Sequence, residues 1–352
     1  MSARKGLWAL AGTAVTVGLG LTAQRSWVNA RRRNDPEAAE AFGSRRGERS
    51  RFVELVDGGR LFVEEVGPES PHGAVFVHGS ALRTDVWHYQ LAGIGGHRLV
   101  FYDLRGHGRS QPKGDAEFSV KTMAGDLKAV IEDSRLERVV VVGHSVGGMI
   151  ALQLCADEPD FARSHVAGLV LAHTTYRPAF ETVLGGAVLS RLERLVRRPL
   201  DVLGSQAHRL ENLRRIVRPS DTVFLVVSLA AFGPHPSARQ VDFVYDMLAE
   251  TPTDVLFDLV RSYRDFDVSE ALEQVEVPAL VIGGSHDRIT LPGASEHLAT
   301  HLPDAHLEMM QACGHISMLE RHERFSALVA GFLDEHLGRP TTFAPALEEG
   351  AR

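Results

Sequence analysis

Short runs of consecutive apolar residues recur along the chain, at Ala74–His78, Leu99–Tyr102, Val139–Gly143, Val166–Ala172 and Ala279–Gly283. Runs of that length, with no polar alternation, predict strands buried on both faces of a parallel sheet. Ala305–Met310 is strand-like as well. Ahead of them, Arg51–Val56 and Arg60–Val66 flank Asp57-Gly58-Gly59, a hairpin signal. Helical patterns fall between the runs, at Thr84–Ile94, Ser119–Asp133, Val146–Asp157, Gly293–His301 and Glu320–His336. Eight strands alternating with helices in this way predict an α/β fold built on a doubly wound, mostly parallel sheet.

The alternation lapses between residues 177 and 268, where the pattern is helical and no strand is evident. This stretch reads as a helical cap inserted into a core formed by residues 52–176 and 269–337. Residues 34–51 are polar and broken by Pro36, Gly43 and Gly47, so they read as a linker. Residues 338–352 read as a disordered tail. Leu7–Ala23 carries no charge, with Arg4 and Lys5 before it and Arg25 after it. The expectation for residues 1–33 is therefore a transmembrane anchor, with a cleaved signal and secretion as the alternative. Basic residues flank both ends and leave the membrane side open.

Composition narrows the chemistry. A formal net charge of −7 argues against a nucleic-acid partner, and 44% hydrophobic with 24% charged residues is a globular composition. Cys155 and Cys313 form neither a disulfide framework nor a metal cluster.

Candidate chemistry lies in Gly143-His144-Ser145-Val146-Gly147-Gly148, which follows one predicted strand and opens a helix. A serine on so sharp a turn needs small neighbours, and the helix N-terminus sets backbone N–H groups beside its hydroxyl. A hydroxyl needs a base to become a nucleophile. His315, in the glycine-marked loop Gly314-His315-Ile316-Ser317, suits that role among 17 histidines. Asp287, closing the strand Ala279–Gly284, would orient it. The competing acid position, after Ala172, offers His173-Thr174-Thr175-Tyr176 and no carboxylate. Two oxyanion donors are expected, the Val146 amide and, in His78-Gly79-Ser80-Ala81, the Ser80 amide in preference to that of Ala81.

These segments, with Tyr102–Ser110, resemble the α/β-hydrolase superfamily in motif and in motif order from about Phe52 to His336. The resemblance implies the subgroup of esterases, C–C hydrolases, peroxidases and epoxide hydrolases, and a scaffold role for the Asp103–Ser110 loop and for Asp126. A serine nucleophile disfavours dehalogenase and epoxide hydrolase activity. The apolar run in the cap, with Phe224, Leu225 and Phe232, suggests a lining for an apolar acyl group. The expected function is cleavage of a carboxylic ester through an acyl-enzyme, without metal or cofactor. Perhydrolysis, amide cleavage and C–C hydrolysis are alternatives on the same triad, and a non-enzymatic binding protein is a further one. The expected partners are a small apolar ester or related acyl substrate and, through the N-terminal segment, a membrane.

Overall fold

The computed structural model describes residues 22, 24–114, 116–178 and 221–339. Eight strands form one sheet: β1 (Arg49–Glu54), β2 (Arg60–Val66), β3 (His72–Val77), β4 (Arg98–Tyr102), β5 (Arg138–His144), β6 (Val166–Ala172), β7 (Ala279–Gly284) and β8 (Ala305–Met310). Their order across the sheet is β1-β2-β4-β3-β5-β6-β7-β8. β1 and β2 run antiparallel as a hairpin, and β2 meets β4 antiparallel. All the other pairings are parallel.

Alternate residues of the central strands feed two separate cores. Val75, Val77, Val139 and Val141 enter one, together with α1 (Val120–Asp133), α2 (Val146–Asp157) and α3 (Pro159–His165). Ala74, Phe76, Val140 and Val142 point to the other face. Burial on both faces is why these strands read as unbroken apolar runs. Each fully buried valine contributes roughly 1.5–3 kcal/mol relative to exposure. α1 starts where the Ser119 hydroxyl accepts from the Thr122 amide, a standard N-cap.

Of the cap, the structure describes three helices: α4 (Asp221–Ala231), α5 (Ala238–Glu250) and α6 (Thr253–Asp265). α7 (Pro292–His301) and α8 (His322–Leu337) complete the core, α7 beside the first three helices and α8 on the opposite face. The single helix expected over Thr84–Ile94 is instead two separate turns, Thr84–Trp87 and Gln90–Gly93. Tertiary anchors explain the break. The Thr84 amide donates to Asp103, Trp87 is fully buried, and the Gln90 side chain bonds Met318 O and Ser326 Oγ.

The membrane-anchor expectation is corrected. Among the described residues no helix is long and apolar enough to cross a membrane. Most of Leu7–Ala23 lies outside the described residues, and the helix that follows it, residues 24–33, belongs to the protein surface. There Val28 is buried, and Arg32 pairs with Asp242 at 2.8 Å and with Asp221 at 3.4 Å while lying over the Phe224 ring. Residues 34–48, read from sequence as part of a linker, lie across cap and core. Asp35 accepts from the Ser237 hydroxyl, Phe42 stacks on Phe243, and Arg46 pairs with Asp85 at 2.7 Å. Residues 179–220 of the expected cap and 340–352 of the expected tail lie outside the described residues.

Candidate active site

β5 ends where the backbone turns abruptly, with Ser145 at φ 53° and ψ −119°. A positive φ is unusual for a residue with a side chain, and here the local packing imposes it. The Ser145 amide donates to Ala172 O at 2.9 Å, and the Thr174 hydroxyl donates to Ser145 O at 2.7 Å. From Val139 to Ile150 every residue is buried except Ser145. The turn thus presents one side chain and hides its neighbours.

The carboxylate of Asp287 lies at the end of β7, where five donors converge on it. Oδ1 accepts from the amides of Ile289 and Thr290, each at 2.9 Å. Oδ2 accepts from Thr290 Oγ1, His315 Nδ1 and His173 Nδ1, each also at 2.9 Å. Burial alone would raise the carboxyl's pKa. The charge interaction with His315 and the hydrogen bonds from His173 and His315 outweigh it, and hold the group well below the usual carboxylate range. An ionised carboxylate only accepts, so both histidines carry their hydrogen on Nδ1. In the neutral imidazole the Nε2 of His315 is then a lone pair, whereas the Nε2 of His173 is occupied by Ser317 Oγ at 2.7 Å.

The loop bearing His315 is fastened from three directions. Its amide donates to Ala231 O at the end of α4, at 2.7 Å, and its carbonyl accepts from His144 Nε2 at 2.9 Å. Glu320 accepts from the Gly314 amide with one oxygen and from the Gly233 amide with the other. His144 is kept neutral by burial, reinforced by the neighbouring His315 and His173. His173, Asp287 and His315 are also disposed so that a cation could sit among them. Hydrogen bonds already satisfy the carboxylate without one.

The loop after β3, which carries Ser80, passes close to Ser145, since a β-carbon at Gly79 would lie 3.1 Å from Ser145 Cβ. The Ala81 amide is engaged by His107 Nε2 at 3.1 Å. His107 Nδ1 donates to Arg105 O, and Arg105 forms a two-pronged pair with Asp126, both contacts at 2.6 Å. His78 donates through Nδ1 to Gly79 O and accepts the Leu104 amide on Nε2. Burial pushes His78 down to about 3 and His107 to about 4.

Both values bear on acid stability. Unfolded histidines bind protons below about pH 6.5, while these two stay neutral in the native state, so stability falls as pH drops from about 6.5 towards about 4. Each contributes a slope of up to about 1.4 kcal/mol per pH unit. Urea midpoints measured between pH 7 and 5 should fall accordingly. His107→Gln, which can still accept from Ala81, should flatten the slope; an equally steep profile in that variant would refute the assignment.

The expected pocket residues are dispersed. Phe224 lies beneath Arg32 and is buried, Leu225 is half-buried, and Phe232 packs against Gly314 beside His315. His173 was not foreseen as a site residue. Its signal was its place at the end of β6, since β6 and β7 are neighbours and their ends must meet.

Residues 75–322 match the family model for the alpha/beta hydrolase fold. The chain belongs to this family. It is 27% identical over 277 residues to a protein of Variovorax paradoxus named as a carbamate hydrolase, RutD, covering 78% of this chain and 96% of that one. It is 25% identical over 279 residues to 3-oxoadipate enol-lactonase 1 of Acinetobacter baylyi, covering 78% and 94%. Among solved structures, an esterase from Exiguobacterium antarcticum superposes with a TM-score of 0.64 at 21% identity, over 81% of this hydrolase and 100% of that chain.

Proposed function

We propose that this hydrolase cleaves a carboxylic ester with an apolar acyl group, through an acyl-enzyme on Ser145. The observation that carries the reading is the Asp287–His315 pair. It fixes the hydrogen of His315 on Nδ1 and leaves Nε2 free as a base. Ser145 Oγ attacks the acyl carbon while His315 Nε2 takes its proton. The amides of Val146 and Ser80 hold the oxyanion, Ser80 being preferred because the Ala81 amide is already engaged. The Oγ–acyl bond forms, the bond to the leaving alkoxide breaks, and His315 returns the proton to the alcohol. Water, deprotonated by the same imidazole, then releases the acid and restores Ser145.

The names esterase and enol-lactonase among the similar proteins support an ester carbonyl. A carbamate is the second reading, favoured by the name of the relative from Variovorax paradoxus. The test is labelling by a fluorophosphonate, followed by turnover of p-nitrophenyl esters of increasing acyl length and of an aryl carbamate. Wild type should be labelled and Ser145→Ala spared, with esters turned over faster than the carbamate. Labelling that persists in Ser145→Ala would overturn the nucleophile assignment.

A further inference from the structure

Asp287 is shared between two histidines, and only one of them is free to act as a base. His173 is fully buried, its amide is tied to Ile282 O at 2.8 Å, and its ring bridges Asp287 Oδ2 and Ser317 Oγ. It also adopts φ 50°, a left-handed conformation uncommon for any residue other than glycine. Such a backbone persists only where its surroundings fix it.

From this geometry we propose that His173 is a positioning residue for the reaction, holding Asp287 in place and keeping His315 a weaker base than a carboxylate of its own would make it. The proposal rests on the triad reading above. Hydrogen positions follow from the acceptors. Asp287 demands a hydrogen on His173 Nδ1, so neutral His173 has a lone pair on Nε2, and Ser317 must donate to it. Ser317 is two residues beyond His315. The contacts therefore close a ring, from Asp287 through His173 and Ser317 back along the chain to His315 and to Asp287 again. Moving His315 away from the acid disturbs two hydrogen bonds besides its own.

The ring also sets proton affinity. Each donor on Oδ2 draws off negative charge and weakens the carboxylate as a partner for the His315 imidazolium. Taking the His173 donor away makes Asp287 more basic, stabilises protonated His315 and moves the loss of activity at low pH to higher pH. Groups from several elements face His173. His315 and Ser317 approach from the loop after β8, and Asp287 from the end of β7. His144 stands 6.1 Å away between ring centres, and Glu320 interacts with His173 from the turn that follows Ser317. A proton on His173 would neutralise Asp287 and leave imidazolium at His315 without its counter-charge.

The experiment measures the second-order rate of fluorophosphonate labelling against pH, which reports the nucleophile and its base without needing the natural substrate. In His173→Phe the rate should fall about ten- to a hundredfold, and the acid midpoint should rise by about half a unit or more. His173→Asn, which can still donate to Asp287 and tolerates φ near 50°, should recover most of both. Ser317→Ala, with His173 itself intact, should shift the midpoint in the same direction by less. Unchanged midpoints in His173→Phe and Ser317→Ala, or a slowed His173→Phe that asparagine does not rescue, would overturn the proposal. Wild type that is not labelled, or labelling that persists in Ser145→Ala, would instead overturn the triad reading beneath it.

Discussion

Asp287→Asn should lower kcat about ten-thousandfold, the scale seen when a triad carboxylate becomes an amide. The cause here is stricter than loss of charge. Five donors converge on this side chain, and an amide offers one oxygen and one NH₂ in place of two oxygens. With nitrogen at the Oδ2 position, NH₂ faces the N–H of both His173 and His315. With nitrogen at the Oδ1 position, it faces the fixed amides of Ile289 and Thr290. Neither orientation is satisfied, and the first turns His315 towards the wrong tautomer. Steady-state turnover of a p-nitrophenyl ester, with a melting curve alongside, separates catalysis from folding. A folded variant within tenfold of wild type would remove Asp287 from its role.

Gly147→Ala is expected to destabilise the protein by more than about 4 kcal/mol, which places it among the rare severe substitutions. A β-carbon at Gly147 would lie 2.1 Å from Val77 O and 2.7 Å from Val77 C, atoms of the β3 backbone that cannot swing aside. The first turn of α2 would have to back away from β3, carrying Ser145 with it. Gly125→Ala is the control, since Gly125 lies exposed within α1 with open space around it. That change should stabilise by about 0.5–1 kcal/mol. Urea denaturation of both variants decides the matter, and a Gly147→Ala protein as stable as wild type would contradict the packing described.

The parts of the fold that were legible in the sequence depend on local pattern. β5 contains four consecutive valines because both of its faces are covered, and an unbroken apolar run records that directly. The turn at Ser145 was legible for a related reason, as its glycines mark where two backbones must touch. His173 was not legible, because its role arises from a contact across 114 residues of sequence that exists only once β6 and β7 are side by side. Charged residues gave no better guide near the N-terminus. Arg32, Asp35 and Arg46 would look the same in a solvated tether, but their partners Asp242, Ser237 and Asp85 lie far along the chain. The turns at Thr84–Gly93 escaped periodicity as well, since the residues there are held individually by Asp103, Met318 and Ser326.

α4 has one end under Arg32 of the N-terminal helix and the other against the amide of His315. The 2.7 Å contact from Ala231 O to that amide couples the position of α4 to that of the loop bearing His315. The N-terminal helix and the His315 loop are in that sense joined through one cap helix. A displacement at Arg32 would therefore reach the Asp287–His315 pair through a single helix.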